Sequence, residues 1–442
     1  MTDCNRQPAL FSSLNRQKIV ANFDGGRLTG DAGGLLLREA DRELGLIRRL
    51  AACIPDPRDP GLAVHDQETM LAQRIFGIAL GYEDLNDHDT LRDDPLFSVL
   101  ADKTPNEDEP LASSPTLCRF ENRVERQALA RMCAVFVETF IASHKQPPKE
   151  LILDFDATDD RVHGLQEGRF FHGYYDSYCF LPLYVFCGDQ LLAAYLRPSN
   201  IDGSKHTRAI LRLLVRRFRE VWPEVKIVVR GDSGFCRWRT MRWCENNNVF
   251  YVLGLARNKV LERLSEPFMR QAETAHQHTR TKVRSFHDIL YAAKTWDRER
   301  RVILKAEHLD QGANARYVVT NLSDLTPQDI YDGLYTARGD MENRIKEQQL
   351  YLFADRTSCH KFVANQFRVL LASAAYVLIE HIRRTALKGT ELSRAQVSTI
   401  RLKLFKIAAR VVTSVRRVIF HLSSSCPYQQ LFRQIISRLV PT

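Results

Sequence analysis

No run of apolar residues in this chain reaches the roughly 18 that a membrane span requires. The longest, from Val369 to Ile379, includes Ser373 and reads as a buried helix. The first twenty residues, Met1 to Val20, lack the apolar stretch of a secretion signal, so the expectation is a cytoplasmic protein with no membrane partner. Cysteine pairs are missing as well: the ten cysteines are scattered singly, with no Cys-x-x-Cys, which argues against a disulfide frame and favours reduced, mostly buried thiols. His276 and His278 flank Gln277, but no cysteine or histidine stands at zinc-finger spacing from them. A glycine-rich stretch, Asp24-Gly25-Gly26 and Thr29 to Gly34, leads into Leu35-Leu36-Leu37-Arg38-Glu39, with Asp31 placed to cap a helix. No Gly-Lys-Ser or Gly-Lys-Thr follows it, which argues against a phosphate loop and against ATP.

What is present is material for several cores. The chain has 442 residues, 44% of them apolar, enough for two to four domains. Its net charge of +10 is unevenly spread: residues 1–150 carry 18 Lys/Arg against 24 Asp/Glu, leaving 45 against 29 for the remainder. A basic surface of that size suits a polyanion, chiefly nucleic acid. Between His381 and Arg417 ten basic residues face one acid, Glu391, with apolar residues interleaved, which reads as a basic helical region that contacts phosphate.

The first part of the chain reads as helical. Met70, Leu71, Ile75, Ile78 and Ala79 recur at helical spacing, a second helix runs from Glu125 to Phe140, and Ser114 to Phe120 opens either a DNA-docking helix or a structural one. Two prolines between Lys145 and Lys149 mark a boundary. Beyond it the pattern becomes α/β: strands at Leu151 to Phe155, Tyr178 to Cys187, Gln190 to Leu196, Lys226 to Arg230 and Val249 to Leu255, with helices at Lys205 to Val221 and Arg237 to Asn246. The implied order is βββαβαβ. Residues 256–321 are too long for a bare loop and read as an inserted β-rich subdomain, followed by a helix from Pro327 through Gln349.

Carboxylates stand where this pattern would bring them together. Along Leu151-Ile152-Leu153-Asp154-Phe155-Asp156, alternation puts Asp154 and Asp156 on one face, and desolvated carboxylates require a cation or donors to compensate them. Asp232 follows the Lys226 to Arg230 strand in Gly231-Asp232-Ser233-Gly234, where a turn with a helix cap is an equal reading. Tyr335, Arg338, Glu342, Lys346 and Gln349 are spaced 3, 4, 4 and 3, which places them within a band of about 80° on one helix. Plain i,i+4 pairing would account for such a face if the helix stood alone.

Together these residues resemble the DDE transposases of bacterial insertion sequences. The match rests on Asp156 in Asp-Ala-Thr, Asp232 in Arg-Gly-Asp-Ser, and Glu342 in Tyr335-x2-Arg338-x3-Glu342, with Thr29 to Gly34 and His163-Gly164 as further similar stretches. The resemblance implies a mixed α/β fold: a ribonuclease-H-like core at 149–255 and 322–380, interrupted by the β-rich insertion 256–321. Around it lie a helical domain at 1–148, which could bind DNA ends, and a basic helical region at 381–442. It further implies a cut-and-paste transposase that cleaves transposon ends and transfers the 3′-hydroxyl strand into target DNA. Asp156, Asp232 and Glu342 would be catalytic and would hold two Mg²⁺ or Mn²⁺ ions, since in-line displacement at phosphorus is served by paired metals about 3.5–4 Å apart with oxygen ligands. Asp154 is the rival to Asp156, and Glu347 to Glu342; Asp159 and Asp160 are expected to cap or solvate the next turn. Tyr335, Arg338 and Lys346 would grip phosphates, and Trp296 would stack on an unpaired base unless it is a core residue. The signature's usual lysine is replaced by Gln349. The implied partner is double-stranded DNA, at transposon ends and target, bound by a homodimer in the nucleoid. Two further readings fit the same residues: a structure-specific nuclease of this fold, and a DNA-binding regulator derived from a transposase.

Overall fold

The computed structural model describes residues 9–105 and 107–440, so the first eight residues of the stretch read for a secretion signal lie outside it. The chain divides into two compact units, one of residues 126–373 and one joining the described parts of 1–125 and 374–442.

The first unit is built on one eight-stranded sheet: β1 (Glu150–Ala157), β2 (Leu183–Cys187), β3 (Gln190–Tyr195), β4 (Lys226–Gly231), β5 (Phe250–Leu255), β6 (Val283–Tyr291), β7 (Arg300–Leu309) and β8 (Gly312–Thr320). Their order across the sheet is β6-β7-β8-β5-β4-β1-β2-β3. β1, β4 and β5 run parallel, while β2 is antiparallel to both β1 and β3. Five strands in the order third, second, first, fourth, fifth, with the second reversed, constitute a ribonuclease-H-like core. The expected βββαβαβ order is present, the crossovers being the helices Thr207–Val221 and Trp238–Asn246.

Alternation along β1 organises both faces of this sheet. Leu151, Leu153 and Phe155 enter a core with Leu211, Leu214, Val215 and Phe218 of the first crossover helix and Met241 and Cys244 of the second. Ile152 points the other way, into a smaller cluster of Val228, Val252, Ile303, Val318, Ile330 and Tyr331, which the helical segment beginning at Asp329 covers. That second face also receives Asp154 and Asp156.

Residues 256–321 do not form a separate β-rich subdomain. They supply a 21-residue helix, Lys259–Thr279, and three antiparallel strands, of which β8 pairs with β5 from Val252↔Thr320 to Leu255↔Tyr317. The insertion therefore prolongs the core sheet and covers the hydrogen-bonding edge that β5 would otherwise expose. Its helix is capped by Asn258, whose side chain accepts from Val260 and Leu261 amides at 3.1 Å each. Leu261, Ser265, Ala272 and His276 form its buried stripe, a pattern obscured in the sequence by Pro267 and the surrounding charges.

The second unit is mostly helical. Asp66 caps the helix Gln67–Leu80 through the Thr69 amide at 2.7 Å, and that helix buries Arg74 against Glu121 at 2.7 Å and His88 at 3.1 Å. Burial first, and then the Arg74 charge, pushes the His88 imidazole down to about 3. The helix Ser114–Arg123, which brings Glu121 to this pair, buries Leu117 and Phe120 as a structural helix does.

The C-terminal region differs from the helical expectation: Ala409–Ser414 and Arg417–Leu422 form a β-hairpin whose first strand also pairs with Leu28–Thr29. Val411, Val412, Thr413, Val418 and Ile419 are β-branched and favour this outcome. Several of the basic residues here are structural. Arg383 pairs with Glu380 at 2.7 Å, Arg401 donates to the Ala79 carbonyl at 2.8 Å, and Lys406 meets Asp31 at 2.6 Å. Asp31 makes no side-chain cap; it accepts instead from the Tyr82 hydroxyl at 2.6 Å. The helix Phe362–Thr385 is long and apolar enough to cross a membrane by composition, but most of it is buried inside the protein.

Candidate active site

β1 and β4 run side by side with Asp154 opposite Arg230 and Phe155 opposite Gly231, so one further step sets Asp156 beside Asp232 at the strand ends. The two acids of β1 have different surroundings. Asp154 is buried and held by an Arg230 fork in which Nε donates to Oδ1 and Nη2 to Oδ2, the latter at 2.6 Å. Arg230 Nη1 then donates to the Leu334 carbonyl at 2.6 Å, tying the strand pair to the helical segment above it. Asp154 is thereby committed to an internal partner, whereas Asp156 lies at the strand end beside Arg338.

Asp156 Oδ1 accepts from the Ala157 amide at 2.9 Å, while Oδ2 lies 3.5 Å from Arg338 Nη1. The other Arg338 nitrogen bonds Glu342 Oε1 at 2.8 Å, so one guanidinium joins two of the three acids. Asp232 caps the short turn Ser233–Phe235 through the Gly234 amide at 2.8 Å. Burial raises the Asp156 carboxyl from 3.8 to about 7; Arg338 opposes this, and the charges of Asp232 and Glu342 add to it. Arg338 retains its proton more firmly than usual: burial works against its charge, but Asp156 and Glu342 more than offset that.

Residues 329–351 form one helical run with π-helical turns at Asp329–Tyr335 and Glu347–Tyr351 on either side of the α-helix Gly339–Lys346. Such turns are rare and re-aim the side chains that follow them. Tyr335 reaches down to the strand ends. A Cβ added at Gly254 would stand 2.6 Å from the Tyr335 hydroxyl and 2.9 Å from the Ser233 amide, so only glycine admits this approach.

The raised Asp156 value has a measurable consequence in protein stripped of divalent cations. Between about 4 and about 7 the folded state holds a proton that the unfolded chain has released, so stability falls as pH rises through that window. Asp156→Asn removes this dependence. The variant is expected to match wild type near pH 4 and to exceed it by about 2 to 4 kcal/mol above pH 7, read as a widening difference in Tm.

Among the described residues no three His, Cys, Asp or Glu side chains stand close enough to hold a metal ion. The donor set nonetheless suits a hard divalent cation: three carboxylates, no sulfur or imidazole, with burial and mutual repulsion raising the proton affinity of one of them. Arg338 supplies positive charge at that place in this structure.

The whole chain was compared with known proteins. The family model described as Transposase DDE domain group 1 matches residues 11–442. The chain belongs to the DDE transposases. No curated protein matches this transposase. Among solved structures, the piggyBac transposase synaptic complex with hairpin DNA matches at a TM-score of 0.39 and 12% identity, over 94% of this chain and 86% of that one.

The remaining expected residues are distributed around the acids in different ways. Lys346 is exposed, one turn beyond Glu342. Gln349, at the position of the usual lysine, turns inward and donates to the Asp159 carbonyl at 3.0 Å and to Asp160 Oδ1 at 2.9 Å. Asp160 is fully buried instead of solvated, and burial holds its carboxyl well above the ordinary range. Glu347 is buried and pairs with Arg344 at 3.0 Å. Trp296 is half-buried against the core, edge-on to Tyr291 at 5.4 Å and 5.5 Å from the Arg300 guanidinium, which is a packing environment. Two residues that shape the site escaped the sequence reading: Arg230 and Gly254. The alternation that puts Val228, Arg230 and Asp232 on one face of their strand was the available signal for the first.

Proposed function

We propose that this transposase cleaves the phosphodiester at the ends of an insertion sequence and joins the freed 3′-hydroxyl to target DNA, with Asp156, Asp232 and Glu342 as its catalytic carboxylates. The observation that carries this reading is the electrostatic coupling of Asp156 to both Asp232 and Glu342, with Arg338 joining Asp156 to Glu342. These acids would hold two Mg²⁺ or Mn²⁺ ions, which when bound supply Lewis acidity for in-line displacement at phosphorus. Arg338 keeps Asp156 and Glu342 from repelling one another before DNA arrives. Once the acids have another counter-charge, its planar fork is free to take a phosphate oxygen. Tyr335, fixed against Gly254, would orient the same phosphate, and the exposed Lys346 would bind the backbone one helical turn away. Two such ends, one per subunit of a homodimer, make a complete excision, and the work is done on the nucleoid.

A labelled duplex carrying the inverted repeat that flanks the coding region tests this reading. Purified protein with Mg²⁺ should nick or cut at the repeat boundary and join the 3′-end to a plasmid, and chelator should stop both steps. Cutting without joining would make the protein a nuclease of this fold, and binding without cutting a regulator.

A further inference from the structure

Just beyond Asp156 the chain leaves the main sheet and builds a small three-stranded flap from Asp160–Arg161, Phe170–His172 and Ser177–Phe180. The flap is fastened at its base to both acid-bearing elements. It continues directly from β1, and Gln349, seven residues past Glu342, donates to Asp159 and Asp160. Further along, the Ser199 hydroxyl donates to the Phe170 carbonyl at 2.8 Å, and the Phe362 amide donates to Glu167 at 3.1 Å.

The outer surface of this flap is aromatic. Phe171 and Tyr178 are cross-strand partners with rings 5.7 Å apart, and both are about half exposed at 54% and 49%. Arg169, two residues before Phe171 and so on the same face, lies 4.6 Å from the Tyr178 ring centre. At the turn, Tyr174 is 85% exposed and stands edge-on to Tyr175 at 5.0 Å. Tyr175 is half-buried and packs on the His172 ring at 5.0 Å; burial first, and then the charges of Asp159 and Asp156, pushes its phenol up to about 12. Exposed aromatic rings gathered on one flap carry a hydration cost that burial against a partner would relieve.

We infer that this flap, through Phe171, Tyr174 and Tyr178, is a stacking surface for unpaired nucleobases next to the phosphodiester being cut, with Arg169 contacting the adjoining backbone. The inference rests on the proposed catalytic role of Asp156. It commits to DNA because the flap is continuous with the strand that would face the scissile phosphate. Duplex bases already stack on one another, so only an unpaired base offers a free face to a side chain. The surface also differs in place from the tryptophan the sequence pointed to, since Trp296 is packed against the core.

The test compares full-length protein bound, without divalent cation, to three probes: a blunt duplex, the same duplex with an oligothymidine tail, and one with an abasic tail of equal length. Wild type is expected to prefer the thymidine tail to the abasic tail by about tenfold. Tyr174→Ala and Phe171→Ala should each remove most of that preference and leave blunt-duplex affinity unchanged, while Tyr174→Phe and Phe171→Tyr retain it. Equal binding to thymidine and abasic tails by wild type would overturn the inference, as would full preference in both alanine variants. So would a change in self-association alone, which would make the flap a contact between copies. Cleavage of the repeat duplex in parallel separates the two claims: cutting without base preference removes only the flap assignment, and failure both to bind and to cut removes the catalytic reading with it.

Discussion

Asp156→Asn, Asp232→Asn and Glu342→Gln should each lower end cleavage and joining by on the order of a thousand-fold or more, with DNA affinity in chelator within about threefold of wild type. Each substitution keeps the shape of the side chain and removes its charge. Asparagine at 232 still accepts from the Gly234 amide, and asparagine at 156 from the Ala157 amide, so the local backbone has no reason to move. What disappears is one negative charge from a place where burial first, opposed by Arg338, and then the charges of Asp232 and Glu342 raise Asp156 to about 7. Binding is expected to survive because the proposed reading gives the backbone contacts to Arg338, Lys346 and the basic surface. The measurement is a single-turnover assay on labelled repeat duplex, beside a thermal unfolding curve for each variant. Cleavage within tenfold of wild type by any of the three would remove that residue from the catalytic set.

The sheet was legible because its strands obey a period of two, and β1 carries the signal twice, in its apolar side and in the acids on the other. The helix holding Glu342 was legible from spacing alone, since Tyr335, Arg338 and Glu342 fall at intervals of three and four. The π-helical turns at its ends were not, because a π turn leaves no mark in composition. The sequence also hid how acids divide between structure and site. Asp154, Asp156 and Asp160 lie within seven residues, yet Asp154 takes Arg230, Asp160 takes Gln349, and only Asp156 meets Arg338. Those choices are made by residues 76, 189 and 182 positions away, beyond any local pattern. The basic C-terminal count includes charge that is not free, for a related reason. Charge was summed over a stretch in which Arg383, Arg401 and Lys406 are spent on internal partners.

The Arg230 fork sets up the second large effect. Asp154→Ala leaves a buried guanidinium without its carboxylate and should cost about 3 to 5 kcal/mol, lowering Tm by roughly 10 °C for a unit of this size. Arg230→Ala should cost as much, because burial already raises Asp154 and Arg230 is its largest compensation. Replacing both together with Leu at 154 and Met at 230 should restore most of that stability, since a buried ion pair commonly breaks even against apolar side chains of similar volume. Activity should not return with it. Arg230 also donates to the Leu334 carbonyl at 2.6 Å, one residue before Tyr335 and four before Arg338, and methionine cannot make that bond. The segment before Arg338 then keeps the apolar contacts of Ile330 and Tyr331 and the Asp332 ion pair with Arg284 at 3.0 Å but loses its tie to β4, and small displacements of a catalytic group cost about a hundredfold in rate. A double variant that unfolds near the wild-type temperature but cleaves about a hundredfold more slowly identifies Arg230 as a positioning residue. Recovery of cleavage along with stability would mean that packing alone holds the acids in register.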